Sequence, residues 1–236
     1  MGERYRTEEH VMSRRSLEPI VRLLRDYYGA PEPPLVIEPL ELILWENVAY
    51  LVDDQKRMRA FALLKKRVGT APEALLSAPE SVLLEVAKVG GMFPEQRVRK
   101  LRTIAELVLS LCDGDLTSKL DGSFAQAKKV LRQFPGIGEP GAEKILLFSR
   151  KQAVLALDSN GLRVLLRVGF GEESKSYQAT YRAVQTAAQA SSQHNFDWFI
   201  ETHQLLRHHG HMQCKRTSPL CPVCPLQASC QYYQNS

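Results

Sequence analysis

The sequence predicts an all-α protein, and three observations carry the prediction. Apolar residues recur at three- and four-residue steps through most of the chain. No apolar–polar alternation lasts more than a few residues, so no strand has a face to bury. The periodic stretches are punctuated by proline near their openings and glycine at their ends.

Taken in order, residues 1–16 are polar and charged and are expected to be a loosely held end. In SLEPIVRLLRDYYG, Leu17, Ile20, Val21, Leu24 and Tyr28 share one helical face, and Gly29 stops the helix. Prolines 31, 33, 34 and 39 make APEPPLVIEP an extended connector. From Leu40 to about Lys151, helix follows helix. Pro72 and Pro79 are each expected just inside a helix start, where a missing N–H costs nothing. PEQRVRKLRTIAELVLSLC is amphipathic with a basic first half. Its Arg97, Arg99, Lys100 and Arg102 read either as a solvated face or as phosphate contacts. SFAQAKKVLRQF and GAEKILLFSRK form a helix pair, and a third helical group runs from about 160 to 212.

The 236 residues suffice for one domain or two small ones, with 44% hydrophobic and 24% charged residues. No apolar run reaches bilayer length and the N-terminal residues show no signal-like apolar region, so no membrane contact and an intracellular setting are expected. The formal charge of +5 suits a polyanionic partner such as nucleic acid.

Four of the five cysteines crowd the end of the chain as Cys214-x6-Cys221-x2-Cys224-x5-Cys230. Cys112 stands alone at the end of an apolar helix and reads as a free, partly buried thiol. In a reducing compartment, clustered thiols point to metal ligation, and four thiolates serve either a tetrahedral zinc or a four-iron cluster. A zinc site drawing on His208, His209 or His211 is the alternative. In either case ligation fixes a proline-rich loop that has little apolar surface to bury, and displays Lys215 and Arg216 toward phosphate.

Residues 130–148, VLRQFPGIGEPGAEKILLF, read as helix, tight turn, helix. Gly136 and Gly138 permit backbone conformations and close approaches that a β-carbon blocks. The N–H groups of the turn and of the next helix's first residues, from Ile137 to Glu139, suit a phosphate oxygen, while Pro140 fits the helix's opening turn, where its missing N–H has no intrahelical partner to lose. The alternative is an ordinary pair of packed helices. Asp158, in VLALDSNGLRVLLR, stands between an apolar run and a helix. It reads as an N-cap, as a catalytic carboxylate, or as both.

The cysteine ladder, FPGIGEP and LDSN together resemble the endonuclease III and MutY branch of the helix-hairpin-helix DNA glycosylases, over roughly residues 35–232. LDSN is closer to the LDGN of the MutY branch than to the VDTH of endonuclease III. Pro140 and Asp158 are 158 − 140 = 18 residues apart, the family separation between its lysine position and its aspartate. The resemblance implies a two-lobed helical fold: a bundle over 39–151 holding the hairpin, and a second lobe from 1–38 plus 152–236 holding a [4Fe-4S] loop over 214–230. It implies a monomeric base-excision glycosylase acting on double-stranded DNA that carries a damaged or mismatched base, in the cytoplasm with the DNA. Asp158 would stabilise the oxocarbenium-like charge on the sugar of a flipped nucleotide.

Three departures refine this. The family's nucleophilic lysine is replaced by Pro140, which has no amine, so a monofunctional enzyme is expected; Lys144, one turn on, would aim elsewhere. In LILWENVAYLVDD (42–54), Glu46 matches the glutamate that protonates adenine in the MutY branch. Flanked by Leu44, Trp45 and Val48, its carboxyl is expected to be desolvated and protonated, a general acid. Tyr50 and Leu51 stand where the family has glutamines and would wedge into the gap left by the base, while Asn47 could read a base edge. Six residues follow Cys230, too few for the domain with which the MutY branch checks 8-oxoguanine. Short relatives lacking it include mismatch-specific thymine and uracil glycosylases.

Overall fold

A computed structural model describes residues 16–189 and 195–235. The loose end expected at 1–16 lies, up to residue 15, outside the described residues. Where the sequence places prolines and short polar side chains, helices begin. Proline occupies the opening turn of α1 (Glu18–Tyr28), α2 (Pro39–Asn47), α4 (Pro72–Ser77), α6 (Pro94–Cys112) and α9 (Glu139–Phe148). Aspartate caps α3 (Asp54–Arg67) and α7 (Leu116–Lys119). Ser123 and Gln126 close a reciprocal capping box on α8 (Phe124–Leu131). Pro79 departs from expectation: it is the residue before α5 (Glu80–Val89), not its first. Then follow α10 (Ser159–Val168), α11 (Tyr177–Gln189), α12 (Phe196–Met212) and the short α13 (Gln231–Gln234). Among the described residues the one extended pairing is an isolated bridge between Tyr50 and Gly91. The protein is all-α.

The apolar faces gather into two cores. One is built from Val36 to Leu146, by α2 through α9. The other joins Leu17, Ile20, Val21 and Leu24 of α1 to Leu147 and to residues 154–230. Helix α9 straddles the two, with Leu146 in the first core and Leu147 in the second, both fully buried. Truncating either to alanine would cost about 2–5 kcal/mol.

Between the cores runs a buried polar network. Glu143, 1% exposed, accepts from Lys128 Nζ at 2.5 Å, Tyr181 Oη at 2.6 Å and Gln185 Nε2 at 2.5 Å. Glu139 accepts from Lys128 Nζ at 2.8 Å, Gln178 Nε2 at 2.6 Å and Arg182 Nε at 3.1 Å. Burial alone would raise the Glu139 pKa, but these donors and the Lys128 charge hold it down at about 2. Two carboxylates are tolerated here because every partner is a donor. The network ties α8 and α9 to α11.

Three sequence expectations change at this level. Helix α2 ends at Asn47, so Tyr50 and Leu51 lie beyond it, on the loop before α3. Arg97 is 4% exposed and donates to the carbonyls of Ala87 at 2.8 Å and Met92 at 2.5 Å, which removes it from any phosphate contact. Arg102 donates to the carbonyl of Ala78 at 3.2 Å. These two arginines satisfy chain turns that would otherwise bury bare carbonyls.

Candidate active site

Where the two cores meet, α2, α3, α9, α10, α12 and the proline-rich connector enclose a cleft of about 670 Å³. Asp158 and Glu46, 112 residues apart in sequence (158 − 46), both line it. Lys144, Asp54, Arg57, His203 and Arg207 complete its polar wall, against Trp45 and Phe148.

Asp158 is the N-cap of α10. Its Oδ1 accepts the Gly161 N–H at 2.7 Å and its Oδ2 accepts from Asn160 Nδ2 at 3.2 Å. Arg207 Nε stands 3.8 Å from Oδ2. The cap fixes the carboxylate's direction, so capping and facing the cleft are one arrangement.

Glu46 overturns its expectation. Lys144 Nζ lies 2.5 Å from its Oε1. Burial pushes the carboxyl upward, but the Lys144 charge and hydrogen bond, with Arg57, outweigh burial, and its pKa is lowered. Glu46 is therefore an ion-paired carboxylate rather than a standing acid. The sequence neighbours Leu44 and Trp45 implied desolvation; the deciding cation comes from 98 residues away.

His203 and Arg207 join the cleft without a local sequence signal. His203 is buried and its Nδ1 donates to the Ala156 carbonyl at 2.9 Å. Burial pushes its pKa down to about 4, so the imidazole is neutral at pH 7. Arg207 holds Asp54 with Nη2 at 2.7 and 2.8 Å from the two carboxylate oxygens. Their helix, FDWFIETHQLLRHHG, carries helical periodicity but no local pattern that marks these two positions.

The hairpin lies between α8 and α9. Gly136 has φ +74°, and a Cβ there would meet Asn47 Oδ1 at 3.0 Å, so glycine is required on both counts. Gly138 does not bear out the same reading: its φ of −85° is open to any residue, and a Cβ would meet only Pro140 at 3.9 Å. Ile137 is buried and anchors the turn. Glu139 turns its side chain into the buried network, which leaves only its backbone for a phosphate. Pro140 sits in the opening turn of α9 and is not among the residues lining the cleft, whereas Lys144 is. Asn47 is also corrected: it is buried, and its amide donates to the carbonyls of Ile43 at 3.0 Å and Pro135 at 2.8 Å. It clamps α2 to the hairpin and cannot reach a base.

Past α2, Tyr50 is 52% and Leu51 74% exposed, and Leu51 holds a left-handed φ of +52°. Such strain in a leucine persists only where surroundings enforce it. Next to it the Tyr50 N–H donates to the Gly90 carbonyl at 2.9 Å, on a backbone so close that a Cβ at Gly90 would lie 2.0 Å from the Val48 oxygen. Met92 and Phe93, also exposed, extend the same apolar tip.

All four clustered cysteines line a second cavity, with Val164, Arg167, His209 and Gln213 among its other walls. None is in a disulfide. Arg167 Nη1 donates to Cys214 Sγ at 3.3 Å, and its other contacts, to the carbonyls of Lys215 and Arg216, leave those two side chains exposed. Among the described residues, no three His, Cys, Asp or Glu side chains are gathered as ligands of a single ion; the thiols instead surround a volume. Arg163 spans from this loop to the cleft, donating to the Cys214 carbonyl at 2.8 Å, the Gly210 carbonyl at 2.7 Å and Asn160 Oδ1 at 2.8 Å. Asn160 in turn holds Asp158.

No family model matches the chain. Endonuclease III of Sulfolobus acidocaldarius is 26% identical over 181 residues, covering 76% of each chain. A thymine-DNA glycosylase of Aeropyrum pernix is 27% identical over 164 residues, covering 70% of each. Among solved structures, a trapped endonuclease III–DNA covalent intermediate matches 93% of this chain and 96% of its own, with a TM-score of 0.73 at 18% identity. A thermostable thymine-DNA glycosylase matches 93% and 97%, with a TM-score of 0.74 at 16% identity. Similarity in sequence to two named glycosylase groups, and one backbone course shared over nearly the whole chain, point the same way: the protein resembles the helix-hairpin-helix DNA glycosylases in sequence and shares the fold of endonuclease III.

Proposed function

We propose that the protein is a monofunctional, monomeric base-excision glycosylase, which hydrolyses the N-glycosidic bond of a damaged or mismatched base flipped from duplex DNA. The observation that carries this is the placing of Asp158: its carboxylate is held by its own helix cap at the wall of a cleft between two cores, with the hairpin on the neighbouring helix α9. A fixed anion beside the sugar lowers the barrier to loss of the base, because positive charge develops there as the bond breaks. Water then adds to the sugar carbon. Pro140 supplies no amine, and Lys144 is occupied as the ammonium partner of Glu46, so the abasic strand is left intact.

DNA would be held by the turn Gly136–Gly138, by the backbone N–H of Glu139 beside Pro140, and by Lys215 and Arg216 on the cysteine loop. Tyr50 and Leu51, extended by Met92 and Phe93, would fill the space vacated by the base. The two cores would act as lobes over 39–151 and 1–38 plus 152–236. The four thiols fit a [4Fe-4S] cluster in donor type, number and shared cavity. Cys214, Cys221, Cys224 and Cys230 would hold it, and it would supply folding energy to a loop without a core of its own. Substitution of Cys230 by serine is expected to remove visible absorbance and iron from the purified protein.

The deciding experiment incubates the protein with duplexes carrying mismatched thymine or uracil, oxidised pyrimidines, or adenine opposite 8-oxoguanine, and resolves strands with and without alkali. Free base with strand breaks only after alkali supports the reading. Absence of base release from every duplex would overturn it.

A further inference from the structure

The Glu46–Lys144 pair has a consequence of its own. Lys144 is the lysine among the residues lining the cleft, and it shares that cleft with Asp158. Among the described residues its ion-pair partner is Glu46, 2.5 Å away. An ammonium has no lone pair with which to attack carbon. The remaining cations of the cleft, Arg57 and Arg207, disfavour a further positive charge there. The carboxylate of Glu46 offsets them and holds the lysine nitrogen in an ion pair.

We propose that Glu46 is a lock on a latent nucleophile: it withholds the Lys144 amine from the abasic product, and its neutralisation converts the enzyme to one that forms a Schiff base through Lys144. The inference rests on the monofunctional reading above, in which the product is an intact abasic site. With Glu46 neutral, Lys144 loses one proton to solvent and its nitrogen adds to C1′ of the ring-opened sugar aldehyde. The C–N bond forms, and the aldehyde oxygen leaves as water with the two remaining amine protons, giving an imine. Borohydride adds hydride to the imine carbon and makes the link permanent.

The test uses a duplex with a preformed abasic site, so that trapping does not depend on base excision. Wild type, E46Q, E46A, K144M and the double variant E46Q/K144M are incubated with it and borohydride, after circular dichroism confirms their helicity. Trapping by folded E46Q or E46A is expected to exceed that of wild type about tenfold, because the nitrogen is released from its ion pair. The double variant is expected to fall back to the level of K144M. The proposal is overturned if neither neutral variant exceeds wild type, or if E46Q/K144M traps as well as E46Q. Base release by wild type from lesion duplexes, measured separately, judges the glycosylase reading, so the two can fail independently.

Discussion

Replacing Asp158 separates its two duties. In Asp158→Asn the amide oxygen still accepts the Gly161 N–H, now held at 2.7 Å, and asparagine caps helices as well as aspartate. What is lost is the 3.2 Å bond from Asn160 and the long 3.8 Å approach of Arg207. The first is worth about 1 kcal/mol and the second, half-exposed, little. Asp158→Ala loses these and the cap, about 2 kcal/mol in all. For a chain of this size each kcal/mol moves the melting temperature by about 2–4 °C, so Ala should melt roughly twice as far below wild type as Asn. Both variants lose the charge proposed to face the sugar, and single-turnover base release should fall about 10²–10³-fold in each. That loss exceeds anything a folded population reduced by 2 kcal/mol could produce. Differential scanning calorimetry and a rapid-quench assay on the best duplex of the panel read the two effects apart. Near-normal turnover in the Asn variant would reduce Asp158 to a helix cap and refute the reasoning.

Gly136→Ala should cost about 1–2 kcal/mol, because alanine must take φ +74° against Asn47, whereas Gly138→Ala should leave the melting temperature unchanged. Leu51→Gly relieves a left-handed leucine and should preserve stability while lowering base release, since the proposed wedge side chain is gone; unaltered excision would remove Leu51 from the proposed interface. Glu139, with a pKa of about 2 against an ordinary 4.5, binds its proton more weakly folded than unfolded. Its contribution to stability is complete above about pH 4.5 and is lost as pH falls toward 2. Thermal melts of Glu139→Gln should therefore show a flatter decline than wild type across that window; parallel declines would show that the network does not act through this carboxylate.

Much of this protein is written locally. Helix starts at Pro39, Pro72, Pro94 and the Ser123 capping box, and the stop at Gly29, follow from single-residue backbone chemistry, which operates within a turn. The Asp158 cap and the left-handed Gly136 are local for the same reason. Tertiary structure decided whatever depends on a partner far along the chain. The apolar neighbours of Glu46 imply a protonated acid, yet Lys144 on another helix pairs with it and lowers its pKa. Arg97 and Asn47 looked like hands for DNA and became fasteners, because burial leaves a guanidinium or amide no choice but to satisfy nearby carbonyls. His203 and Arg207 enter the cleft only because α12 packs against α9 and α10. Spacing along a chain fixes which groups share a face; only the packing of faces determines which charges meet, and electrostatic energy depends on that meeting.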